Sequence, residues 1–136
     1  MKREIIDLTI EREIITNLIV SDDFAKDILP KIKPRLFKSP CAYPIYTWVK
    51  EYHERYGIVP KQQIQDIYTD KQRKLDSDVA ESIAELLQNL SDNYDKYSNV
   101  HNVPYLSGQA LNYIKLRSLE IVKEDIEKCI LSGAVS

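Results

Sequence analysis

The residue types that most often carry chemistry are sparse in this sequence and irregularly spaced. Cys41 and Cys129 stand too far apart for a CxxC pair, and in a chain without a signal peptide they are expected to be reduced core thiols. His53 and His101 are the only histidines. Neither falls in an HExxH or Cys/His ligand spacing, so a metal site would have to draw on carboxylates, and no metal is expected. No serine sits in GxSxG, and no set of nucleophile, base and orienting group emerges from spacing. Three glycines, Gly57, Gly108 and Gly133, are scattered along the chain. That excludes a phosphate-cradling GxxxxGK[ST] loop and a GxGxxG dinucleotide turn within these residues, and with them ATP hydrolysis by the glycine-rich loop. No cofactor is expected in this chain.

Basic residues are the next candidates. Lys31, Lys33, Arg35 and Lys38 place four cations close together, and Lys71, Arg73 and Lys74 form a second group. Such clusters bind phosphate with salt-dependent affinity and make the first group a candidate nucleic-acid or partner contact. Proline interrupts that group and aspartates flank the second, so a solvated surface is the plainer reading. Tyr43, Tyr46 and Tyr97 could stack on bases or anchor an interface, although tyrosine at helical spacing more often belongs to a core. Nineteen basic against twenty-one acidic residues leave a net charge of −2 and no bulk attraction for phosphate.

These residues must be positioned by a chain of 136 residues, 43% hydrophobic and 29% charged, which suits one globular domain with one core. No apolar run approaches the ~20 residues of a membrane span. The N-terminal MKREIIDL is interrupted by Glu4 and Asp7 and leads into no secretory h-region, so a cytosolic protein is expected. Apolar residues recur at helical intervals, with no sustained alternation, and the fold class is all-α.

A first helix is predicted from Thr9 as N-cap, with Ile10, Ile14, Ile15, Leu18 and Ile19 facing the core. Ser21, followed by Asp22 and Asp23, should cap a second helix carrying Phe24, Ile28 and Ile32, which Pro30 and Pro34 end or bend. Ser39-Pro40 signals a third start, shifted later if Pro44 intervenes. Ile45, Trp48, Val49, Tyr52 and Tyr56 then share a face before Gly57 as the left-handed stop. After the link Ile58-Val59-Pro60, Gln62 to Tyr68 can form about two turns, and Thr69 to Asp76 reads as a loop.

Asp78 and Glu81 resemble a capping box, and Val79, Ile83, Leu86, Leu90, Tyr94 and Tyr97 predict one long helix. After a turn over 98–103, Pro104 opens a second that can run to Leu131, with Gly133 as its stop. Two long helices joined by a short turn predict an antiparallel hairpin over 77–133 behind a small helical head over 1–76. The last helix is apolar on two sides. Leu106, Ala110, Tyr113, Ile114 and Ile121 form one, and Leu111, Leu119, Val122, Ile126, Cys129 and Ile130 form the other. One side can pack on the preceding helix. The other needs either a second chain or cover from the N-terminal helices.

The order of these elements resembles the N-terminal domain of DnaB-family replicative DNA helicases, bacterial or of tailed phages. Ile10-Glu11-Arg12-Glu13-Ile14-Ile15 is similar to the family's opening helix, and Leu36-Phe37 to the segment before its third helix. Ile45-Tyr46-Thr47-Trp48-Val49-Lys50-Glu51-Tyr52 with Tyr56-Gly57-Ile58-Val59-Pro60 matches the aromatic helix and its exit. Asn102-Val103-Pro104-Tyr105-Leu106 and Tyr113-Ile114-Lys115-Leu116-Arg117-Ser118-Leu119 are similar to the second arm of the family's hairpin. The resemblance covers nearly the whole chain.

It implies a collar domain that self-associates and docks primase or a helicase loader during DNA replication, while ATP and magnesium serve a motor domain that unwinds DNA. Tyr113, Ile114, Arg117 and Ile121 become the implied self-association residues. Such families continue into a RecA-like motor, so these residues are expected to be an excised domain ending just past a helix stop. The alternatives are a free-standing regulator that binds helicase, loader or primase, and a small helical module for single-stranded nucleic acid.

Overall fold

A computed structural model describes residues 2–98 and 102–133. Among them are seven α-helices and no strand: α1 (Lys2–Val20), α2 (Asp22–Ile28), α3 (Ala42–Tyr56), α4 (Ile64–Lys71), α5 (Ser77–Asp92), α6 (Tyr94–Ser98) and α7 (Val103–Leu131). No described helix is long and apolar enough to cross a membrane.

The first helix begins well before Thr9. Lys, Glu and Leu are good helix formers, and Asp7 and Glu11 lie one turn apart on its inner face, so helical geometry continues through Thr9. Ser21 does cap α2, its Oγ accepting from the Phe24 N–H at 3.1 Å, with Asp22 and Asp23 in the first turn. Tight turns at Leu29–Lys31 and Pro34–Leu36 carry the two prolines at their starts. The next helix starts at Ala42, after Cys41, and Ser39 Oγ accepts from the Cys41 N–H instead of capping it. It ends as expected at Gly57, whose φ of 75° is left-handed and whose N–H donates to His53 O at 2.8 Å.

Two expectations for the second half fail. The stretch 69–76 is mostly helical, since α4 runs to Lys71 and a further turn spans Gln72–Lys74. The long helix from Ser77 is cut at Asn93, whose side-chain amide donates to Asn89 O at 2.9 Å beside its own backbone N–H. That local bond competes with the helix ladder, and the Asn93 carbonyl then starts α6 by accepting from Tyr97. Asp78 caps nothing, because it already lies inside α5.

The antiparallel hairpin is absent for the same reason. The first arm is broken into α5 and α6, and α5 packs on α4 and α6. The 29-residue α7 lies instead on α2, the turn at 34–36 and α1. One core unites the chain: Ile15, Leu18, Ile19, Phe24, Ile28, Ile45, Val49, Ile64, Ile83 and Leu87 are all fully buried, and Ala110, Tyr113 and Ile114 close it from α7. Thus α5 and half of α7 belong with the head, and only the end of α7 leaves it.

Candidate association face

A network of polar side chains fixes the position of α7, and they come from segments distant in sequence. Glu11 is fully buried, yet its carboxylate is well supplied with donors. The Lys38 N–H reaches both oxygens (3.0 and 2.9 Å), the Ser39 N–H reaches one (2.9 Å), and the Tyr113 hydroxyl donates to the other. A carboxylate can be taken out of water only when its lone pairs are satisfied in this way. Burial, followed by the neighbouring Glu11 carboxylate, pushes the Tyr113 hydroxyl above the ordinary tyrosine range. One turn earlier on α1, Asp7 is buried and accepts from Lys38 Nζ at 2.7 Å. Arg117 is buried too, donating from Nε to Leu36 O at 2.8 Å, with Nη1 3.6 Å from Glu120. The network locks α1, the 36–39 segment and the middle of α7 together.

Tyr113, Ile114 and Arg117, to which the resemblance gave self-association, are all buried against their own chain. Ile121, the fourth, is partly covered. Two tertiary signals decide which apolar side of α7 turns inward: the Glu11 carboxylate that seeks Tyr113, and the Leu36 carbonyl that seeks Arg117. Neither is visible in helical periodicity.

The other side of α7 is bare beyond Leu111, which packs partly on the core. Leu119, Val122, Ile126 and Ile130 are each more than half exposed, and Cys129 among them is exposed as well, contrary to its expected place in a core. Leu119, Val122, Ile126 and Cys129 alternate at three and four residues, the spacing of a coiled-coil seam. The N-terminal helices do not wrap this side. A bidentate pair, Arg35 to Asp125 at 3.1 and 2.9 Å, braces the projecting half against the 34–36 turn on its flank and leaves the stripe open. That bond holds the exposed Asp125 carboxyl below its ordinary value.

The first basic group is largely engaged. Lys31 pairs with Asp27 at 3.1 Å, Arg35 with Asp125 and Lys38 with Asp7, which leaves Lys33 as its exposed member with no ion pair among those found. Of the tyrosines, Tyr46 is buried with its hydroxyl on Ile32 O, Tyr97 is half-buried and Tyr43 is exposed. His53 is half-buried near Asp22, and His101 lies outside the described residues.

Among the described residues no three His, Cys, Asp or Glu side chains are placed to hold a metal ion, and the three glycines build no phosphate loop. The clefts on its surface are open, and one with mainly apolar lining runs between α1 and α7, from Ile6 to Asn17 on one wall and Leu106 to Leu116 on the other. Comparison with family models, with curated proteins and with solved structures found no match to this chain.

Proposed function

We propose that this chain is a scaffold domain that associates through the outer stripe of α7, as the collar of a replicative ring helicase does, and that it docks primase or a loader. The observation that carries this reading is the apolar stripe from Leu119 to Ile130 on a braced, projecting helix. An exposed seam of this kind, with no cover from its own chain, is what an association surface requires. The order of sequence elements resembling the DnaB-family collar supplies the biological setting. In that setting the missing hairpin arm is replaced by a helix from another chain. ATP turnover and DNA unwinding belong to a motor domain, and no step of either is assigned to these residues.

Sedimentation equilibrium from micromolar to near-millimolar concentration tests the association, and titration of labelled chain with purified primase and loader tests the docking. A concentration-dependent dimer that binds either partner supports the proposal. A monomer throughout, with no binding to either, would sink it.

A further inference from the structure

Helices α1 and α7 leave between them an open groove of about 430 Å³, floored by Ile10, Ile14, Leu106 and Ala110. At Asn17 and Leu106 it runs on into a second hollow that reaches Asp22, Asp23 and Lys61. The charged groups along this path are mostly of one sign. The first stretch is lined by Asp7, Glu13 and side-chain amides, and by no lysine or arginine among the described residues. Asp7 is engaged by Lys38, and in the second stretch Lys61 lies 3.1 Å from Asp22. Glu13 and Asp23, both exposed, are the lining carboxylates with no ion pair among those found. Any further charge match must come from a cation outside the groove.

We infer that the groove holds an amphipathic helix of a second protein, with apolar side chains one turn apart on the floor and lysine or arginine beside Glu13 and Asp23. This deepens the docking reading above, whose partner it describes, and rests on it. The wall from Ile6 to Asn17 is about 17 Å long, three turns of helix. Both walls are helices whose backbone groups are paired along their own ladders, so an extended segment would find no main-chain partners there, whereas a helix brings its own. The chain's own stripe is the poorer occupant. It lies about 180° around α7 from Leu106, Ala110 and Tyr113, at about 100° per residue, so one straight partner helix does not meet both. Its flanks also bring no spare cation, since Arg117 and Arg35 hold Glu120 and Asp125, while Glu124 and Glu127 balance Lys123 and Lys128. A rim of carboxylates and amides rejects acidic segments, and the few side chains anchored give micromolar rather than nanomolar affinity. Self-association and docking then use separate faces and can occur together.

The test titrates the Ile126→Asp chain, whose stripe no longer competes, with a labelled helical peptide of about four turns that carries leucines at i, i+4 and i+7, lysines on its flanks and alanine elsewhere. Amide chemical shifts should move along 6–17 and 106–116. Glu13→Lys/Asp23→Lys should weaken this peptide at least about fivefold and strengthen a glutamate-flanked version, with the circular dichroism spectrum unchanged. Shifts confined to 119–130, or equal affinity of parent and reversed chains for the lysine peptide, overturn the groove reading and leave docking on another face standing. Primase or loader bound equally well by parent and reversed chains overturns it in the same way. A chain that takes the lysine peptide as expected but binds neither primase nor loader supports the groove and sinks the choice of those partners.

Discussion

Glu11 shows how one buried side chain can govern a helix packed against it. Its carboxylate serves the N–H groups of Lys38 and Ser39 and the Tyr113 hydroxyl, so truncation strands three donors in the interior. Glu11→Ala should destabilise the fold by about 3–5 kcal/mol, the range for stripping one partner from a buried charged network. Tyr113→Phe leaves both backbone donors on the carboxylate and should cost only about 1–2 kcal/mol. Urea unfolding of the two variants checks this order, and equal losses would show that the hydroxyl bond is the part that matters. At the surface, Asp22 accepts from the Val59 N–H at 2.8 Å and from Lys61 at 3.1 Å. Partial burial raises its pKa, but those two donors outweigh it and the net shift is downward from 3.8. A carboxyl whose folded pKa is depressed contributes stability above its unfolded value and loses it as pH falls through the folded one. Stability should therefore drop below pH 3.8 by less in Asp22→Asn than in the parent, measured as urea midpoint against pH.

At the scale of elements, the parts legible in sequence are those fixed by local chemistry. Ser21 caps, Gly57 stops α3, and Pro104 stands in the first turn of α7, all within a few residues of the signal. Gly57 offers a clean check of such a signal. A Cβ there would meet nothing within 4 Å, so Gly57→Ala carries only the left-handed backbone cost, about 1 kcal/mol, and should lower Tm by a few degrees in calorimetry. A much larger loss would mean that the turn has a packing role. The misreadings come from competition between near-equal local options. The apolar stripe continues past Asn93 through Tyr94 and Tyr97, yet the Asn93 amide bond to Asn89 ends the helix. Thr9 looked like a cap, but Asp7 and Glu11 are held by the 38–39 segment, and that distant contact draws the preceding turns into α1. In α7 both apolar sides were visible, but periodicity did not say which was the outer one, and the resemblance implied self-association on the Tyr113 side. Which side faced inward depended on partners more than eighty residues away.

At the scale of the whole molecule, the core and the association face are separable. The core cluster draws its last buried member from Ile114, and the polar network ends with Arg117 and Glu120. Beyond them, α7 is tied to the rest of the chain by the Arg35–Asp125 pair, whose side chains are about half exposed and whose attraction solvent screens. Cutting the chain after Val122 should thus leave the head folded, with a small stability loss and some fraying of the new helix end. Association should vanish with the stripe. Dimerisation also stabilises by mass action, so the intact chain's Tm should rise with concentration while the truncated chain's stays flat. Calorimetry over a hundredfold range of concentration reads both at once. A truncated chain that fails to fold would show that the outer half of α7 supports the head. One whose Tm still climbs with concentration would move the association face away from α7, to a surface such as the exposed pair Tyr56 and Ile58 at the end of α3.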